Sequence, residues 1–184
     1  MNEVPDGFNL VGPDCSSWGM PARSTSMRSS INPFGRMGIS WVSSNYGLVS
    51  RLVLLLLLML ARHCTWMIEQ PVHSLLKKHQ RWQWMTNRVV KVYEQTFWMM
   101  LHGSGSPKRT IVLSPMVTIS ELDLGRLTKA EKAKRTNIRT VRRHLGKDGK
   151  MKFTGRKKEL KQSGHLASHR RLLESRVFGI LNER

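Results

Sequence analysis

Cysteine is scarce: Cys15 and Cys64 are the two in 184 residues. Two thiols build no disulfide framework, and no CxxC pair or zinc-type His/Cys spacing occurs. The chain is therefore expected to hold no metal and to keep free thiols in a reducing compartment. Acidic side chains are also few, 12 Asp and Glu against 31 Lys and Arg, a formal net charge of +19. A hydrophobic run of membrane length is missing. Leu52–Leu60 is uniformly apolar, but Arg51 and Arg62 close it, whereas a span needs about 20 apolar residues. Such a run is expected as a helix buried on most of its circumference. A membrane anchor at this Leu-rich segment is the least favoured alternative. The opening residues, MNEVPDGFNLVGPD, are acidic and lack a basic start before an apolar run. No secretory signal is expected there, and an intracellular protein, nuclear ahead of cytoplasmic, is the simplest reading.

What is present is cationic and unevenly spread. Roughly two-thirds of the Lys and Arg side chains lie beyond Gly103. A block of one sign implies a polyanion partner, with nucleic acid (DNA favoured) ahead of an anionic membrane or an acidic protein. Affinity of that origin falls steeply with salt.

Along the chain, Phe8–Val11 reads as a short strand ending in Gly12-Pro13. From Ser16 to Ser44 the chain is rich in Ser, Gly and Pro, which predicts a mobile loop carrying Arg23, Arg28 and Arg36. Tyr46 to Arg62 reads as the buried helix. Thr65–Ile68 follows as a strand, and Val72–His79 as a helical turn or two. Val89–Tyr93 and Arg109–Leu113 read as further strands, with His102–Pro107 as the loop into the second. Strands alternating with helices imply an α/β layer architecture with a hairpin near its end. From Ser120 the character changes. Ser120 with Asp123 suggests a capping box. Leu127, Ala130, Ile138, Val141 and Leu145 then recur at helical spacing, Gly146 reads as a stop, and Asp148-Gly149 as a turn. Leu166–Leu181 suggests a last basic amphipathic helix. The division expected is an α/β domain over residues 1–118 and a basic, mainly helical or partly disordered extension over 119–184.

Three local patterns carry chemistry. FNLVGPDCSSWG is a strand and tight turn with Cys15 at the carboxyl end. WMIEQP is a strand with Glu69 at its carboxyl end. HGSGSPKRTIVLS is a Gly/Pro loop feeding Arg109 into a strand. Reactive groups of open α/β sheets collect at the carboxyl edge of the strands. Cys15 and Glu69 are therefore expected side by side despite their separation in sequence.

In that order the patterns resemble cytosine-C5 DNA methyltransferases over roughly residues 7–115, a pattern-level judgement. In that family a strand ends in Gly-x-Pro-Cys-x-x-Phe-Ser, a later one in Glu-Asn-Val or Glu-Asn-Pro, and a Gly-x-Pro-Gln loop precedes an Arg-bearing strand. Cys15 falls at the nucleophile, Trp18 at the aromatic, Glu69 at the acid and Arg109 at the Arg-bearing segment. The resemblance implies a partial Rossmann-like methyltransferase sheet with a basic helical C-terminal extension. It also implies a thiolate that adds to C6 of an extruded cytosine, with a carboxyl group holding N3 and the exocyclic amine. The nearby Arg would bind O2 and favour the thiolate. The loop after Cys15 would then correspond to the family's catalytic loop, which closes on phosphates.

The departures are specific. Asp14 stands at the family's Pro, and a carboxylate beside a thiol opposes thiolate formation. Ser16 replaces Gln after the Cys, Lys108 replaces the loop Gln, and Thr110 takes the place of the family's second Arg. The Phe-x-Gly-x-Gly loop that binds S-adenosylmethionine has no counterpart before Cys15, which would leave the Phe8 strand as an apolar edge.

The leading expectation is thus a truncated or degenerate methyltransferase-like protein, inactive alone, with residual nucleic-acid binding. It would bind no cofactor by itself, and S-adenosylmethionine only if a missing segment or partner chain completes the sheet. Candidate catalytic positions are Cys15, Glu69 and Arg109. Candidate nucleic-acid contacts are Arg23, Arg28, Arg36, Lys108, Arg139, Arg142 and Arg143. The competing expectation is a non-enzymatic basic binding module in which the Cys–Glu pair is core packing. Cys64 and the histidines are read as structural. Trp82 and Trp84 are read chiefly as packing residues, with base stacking beside Arg81 and Arg88 as the alternative.

Overall fold

The computed structural model describes residues 7–104, 107–134, 141–146, 149 and 151–155. It has a mixed α/β pattern. The chain divides into two compact units, Met1–Thr96 with Thr110–Leu122, and Phe97–Arg109 with Asp123–Arg184. The expected boundary after residue 118 falls near Leu122, but Phe97–Arg109 joins the second unit.

The sheet holds four strands, β1 (Phe8–Val11), β2 (Thr65–Pro71), β3 (Tyr93–Trp98) and β4 (Arg109–Ser114), in the order β1-β2-β4-β3. β1 and β2 are parallel, with Phe8 opposite Thr65 and Val11 opposite Ile68. β2 and β4 are antiparallel, with Glu69 opposite Val112. Between β1 and β2 come a 3-10 turn (Met20–Ala22), the four-residue α1 (Arg23–Ser26) and the long α2 (Ser40–Ala61). A parallel pair needs such a crossover, because the chain must return to the starting edge.

α2 begins at Ser40, six residues before the expected start at Tyr46. Its buried face is Val42, Asn45, Val49, Leu52, Val53 and Leu56, a three- and four-residue repeat that runs back through a serine-rich stretch. The serines sit on the first turns, where Ser43 Oγ donates to the Ser40 carbonyl at 2.9 Å. The expectation of burial around most of the circumference is corrected: 28% of the helix's most apolar window is buried. Its inner face packs on β2 and α3 (Gln80–Arg88). There Trp18, Leu56, Trp66, Ile68, Leu76, Trp82, Met85, Ile111 and Leu113 share one core.

α3 and β3 differ from the sequence expectation. The stretch Val89–Tyr93 forms the exit of a helix, since the amides of Val89 and Val90 both donate to the Met85 carbonyl, at 2.9 and 3.1 Å. The strand begins at Tyr93, where that reading ended. α3 is polar throughout save Trp82, Trp84 and Met85, too few apolar positions to reveal a period. Trp82 and Met85 are its buried pair.

Within the second unit, Met99 N–H donates to the Lys108 carbonyl at 2.9 Å, and Gly103 (φ 83) ends a 3-10 helix over Met99–His102. The helix start lies later than Ser120: Thr128 and Glu131 form the reciprocal cap of α4 (Lys129–Lys134), with Glu131 Oε2 accepting from Thr128 N–H at 2.8 Å and Thr128 Oγ1 accepting from Glu131 N–H at 3.2 Å. The continuous helix expected through Leu145 is corrected. Val141–Leu145 is a strand, β5, antiparallel to β6 (Met151–Gly155), with Leu145 opposite Met151. The turn explains the outcome. Gly149 adopts φ 69, a conformation that favours glycine, and its N–H donates to the Gly146 carbonyl at 3.0 Å. The expected helix over Leu166–Leu181 lies outside the described residues.

Candidate functional site around Cys15 and Glu69

Parallel pairing of β1 with β2 sends both carboxyl ends past the same edge of the sheet. Cys15 leaves β1 there through Gly12-Pro13-Asp14, whereas Glu69, expected at the carboxyl end of its strand, lies inside β2, which continues to Pro71 and pairs Glu69 with Val112. Gln70 ties the two ends together: its Nε2 donates to the Pro13 carbonyl at 3.0 Å, while Oε1 accepts from Ser74 Oγ at 2.9 Å. Gln70 is almost wholly buried, so this amide is committed to holding the turn that carries Cys15.

The turn is fixed from its own side as well. The Asp14 carboxylate accepts from Ser16 N–H at 2.8 Å and from Ser16 Oγ at 2.9 Å, the local bonding that favours Asp in turns. Asn45 Nδ2, reaching from α2, donates to Ser16 Oγ at 3.2 Å. The Cys15 carbonyl accepts from the amides of Trp18 and Gly19, at 3.0 and 2.9 Å. The half-buried Cys15 therefore opens a tight turn.

Glu69 sits on the central strand at 9% exposure. Its Oε1 accepts from the Thr110 hydroxyl at 3.3 Å. Thr110 is fully buried, and the antiparallel register puts it opposite Pro71, two residues from Glu69 and on the same sheet face. Sequence reading identified Thr110 as a lost arginine; its hydroxyl instead serves the carboxylate.

Trp18 lies under the turn and is fully buried. The Arg28 guanidinium carbon stands 3.6 Å from its ring centroid, and the His79 ring packs edge-on at 5.8 Å. Arg28 is 2% exposed. Its Nη2 donates to the Val42 carbonyl at 2.8 Å and its Nη1 to the Pro33 carbonyl. Burial lowers its pKa to about 10, an effect the neighbouring Tyr46 opposes. Gly35 closes the loop at φ 66, where a Cβ would stand 2.3 Å from the Ser26 carbonyl oxygen.

These contacts correct two expectations. The 16–44 segment is packed around a buried cation at its centre. Arg28 as a nucleic-acid contact is contradicted, because its planar face and two donors are engaged inside the protein. Sequence missed this because Ser, Gly and Pro surround Arg28, and no periodicity marks a buried residue in a loop.

The remaining candidates are dispersed. Arg23 is half-buried, with Nη2 donating to the His73 carbonyl at 3.0 Å. Arg36 is exposed. Lys108 and Arg109 are exposed and belong to the second unit, where the Arg109 guanidinium stands 5.8 Å from the Trp98 ring. Arg142 and Arg143 are consecutive on β5, opposite Thr154 and Phe153 in the register of the hairpin. Arg139 lies outside the described residues. Trp82 is buried, which contradicts base stacking for it, whereas Trp84 is 55% exposed.

His79 is the functional-looking residue whose role proves structural. Its Nδ1 accepts from Arg81 N–H at 3.1 Å and caps α3, so Nε2 carries the proton, facing the Tyr46 carbonyl at 3.2 Å and Ser50 Oγ at 3.3 Å. Burial, joined by the charges of Arg28 and Arg81, lowers its pKa to about 4 against the Tyr46 hydrogen bond.

Comparison with protein-family models, with curated proteins and with solved structures returned no match.

Proposed function

We propose that this chain is a degenerate cytosine-C5 methyltransferase-like protein with a partly Rossmann-like sheet. It keeps a base-facing thiol and carboxyl and acts by binding nucleic acid, DNA first. The observation that supports the reading is the parallel β1–β2 register, Phe8 to Val11 against Thr65 to Ile68, which sets the strand leading to Cys15 beside the strand that bears Glu69. Gln70 reinforces it by bonding the turn that bears Cys15. The excess of positive charge supplies sequence-independent attraction to phosphates. In this reading the Glu69 carboxyl recognises the amine edge of an extruded cytosine, Thr110 orients that carboxyl, and Cys15 lines the same recess.

The reading gives the chain no S-adenosylmethionine site of its own. The Gly-Pro turn after β1 is devoted to Cys15, and no glycine-rich strand-to-helix turn of the cofactor-binding kind occurs elsewhere among the described residues. Methyl transfer would require a segment or partner chain that supplies this site.

A duplex carrying one unpaired cytosine tests the proposal against duplexes with an unpaired thymine or no bulge, by fluorescence anisotropy. The expected result is about tenfold tighter binding of the bulged cytosine, abolished by Glu69→Ala while binding of the plain duplex is unchanged. Equal affinity for all three duplexes defeats the base-facing reading. It would leave a basic binding module in which Glu69 and Thr110 merely satisfy one another.

A further inference from the structure

α2 has a second face that the core does not use. At about 100° per residue, Leu48, Arg51, Leu54, Leu55 and Leu58 turn away from the buried Val42–Leu56 stripe, and Arg62 follows as the C-cap. The four leucines are 39, 50, 46 and 64% exposed. A helix on the surface of a soluble domain ordinarily carries polar residues there. Here Arg51 interrupts a leucine stripe, Arg62 closes it at the C-cap, and α2 holds no acidic residue. Next to it, α3 repeats the composition, with exposed Trp84 between Arg81 and Arg88 on one helical face.

We propose that this outer face of α2 is a docking surface for anionic phospholipid, with the helix lying in the plane of the interface. The leucines enter the headgroup–acyl boundary, and Arg51 and Arg62 extend to lipid phosphates, as long basic side chains do at interfaces. Charge selects this occupant. A second copy of a chain with net charge +19 would set Arg51 and Arg62 against their like, whereas an anionic leaflet attracts each of them.

α2 lies on the bilayer and does not cross it. Val42, Val49 and Leu56 are fully buried, and Val49, Leu52, Val53 and Leu56 share one core with β2 and α3. Insertion across a bilayer would dismantle that core. Arg51 near the middle of the helix would also sit in hydrocarbon, a costly position.

The experiment is flotation of the full chain with phosphatidylcholine vesicles, with and without phosphatidylserine. The expected outcome is at least tenfold stronger binding to the anionic vesicles and release by carbonate. Leu55→Ser/Leu58→Ser should weaken binding at least tenfold with an unchanged far-UV circular dichroism spectrum and unchanged affinity for duplex DNA. Three results overturn the proposal. The double variant floats as the wild type does, so that basic charge alone binds. The chain resists carbonate, so that α2 spans. Sedimentation shows a lipid-free dimer that the same substitutions dissociate, so that the face is a self-interface.

Discussion

A guanidinium taken out of water must keep its donors occupied and its charge compensated. Arg28 does so in part: Nη1 and Nη2 reach two backbone carbonyls and the plane lies on the face of Trp18, while the buried Nε has no hydrogen-bond partner. Carbonyl dipoles and a ring quadrupole are weaker partners than a carboxylate, so the arrangement depends on the planar fork. Arg28→Lys keeps the charge and loses the second donor and the stacking plane. It is expected to lower stability by about 1–3 kcal/mol, read as a reduced urea midpoint. His79 makes a different demand, because it is held neutral. Its folded pKa of about 4 lies below the ordinary value of 6.5, so the unfolded chain binds the proton first as pH falls. The stabilising contribution is complete above 6.5 and is lost progressively as pH falls from 6.5 towards 4. Urea midpoints at pH 7, 5.5 and 4.5 should decline for the wild type. The decline should be shallower for His79→Asn, which keeps a side-chain acceptor for the Arg81 amide.

Elements that are short, apolar and bounded by Gly or Pro were legible from sequence. β1, β2 and β4 all begin where their apolar runs do. Elements whose identity rests on partners were not. α3 is defined by a His cap and two buried residues, and β5 by a partner strand beyond a five-residue turn. Val141 and Leu145 satisfy a helical repeat and a strand equally well, and the Gly149 turn decides between them. α2 was legible as a helix, but its run of leucines conceals two unlike faces. Leu56→Ala on the inner face is expected to cost about 2–5 kcal/mol. Leu58→Ala on the outer face should stay within about 0.5 kcal/mol. Denaturation of the two variants in parallel checks this, and equal losses would mean that the outer face is packed.

For the whole molecule, charge dominates any encounter. With +19 spread over 184 residues, binding to duplex DNA is expected to weaken at least tenfold between 50 and 200 mM salt, measurable by anisotropy. The Glu69-dependent preference for bulged cytosine should survive that change, because it is a ratio of affinities. The neighbouring ends of β1 and β2 were readable from the rule that reactive groups gather at one sheet edge. The Gln70 amide that ties them together was not readable, since nothing in WMIEQP separates a structural amide from a recognising one. The tie matters because β1 and β2 are unequally held. β2 has strands on both sides, whereas β1 ends the strand order and meets β2 only after a 53-residue detour through α2. Closing so long an excursion carries an entropic penalty that the neighbouring β2–β4 pair meets on a shorter loop. Cys15 therefore follows an edge strand, and Glu69 rides on one paired on both sides. The Gln70 bond to the Pro13 carbonyl couples the turn after β1 to β2, so loss of that amide would free the turn that bears the thiol while the core stays closed.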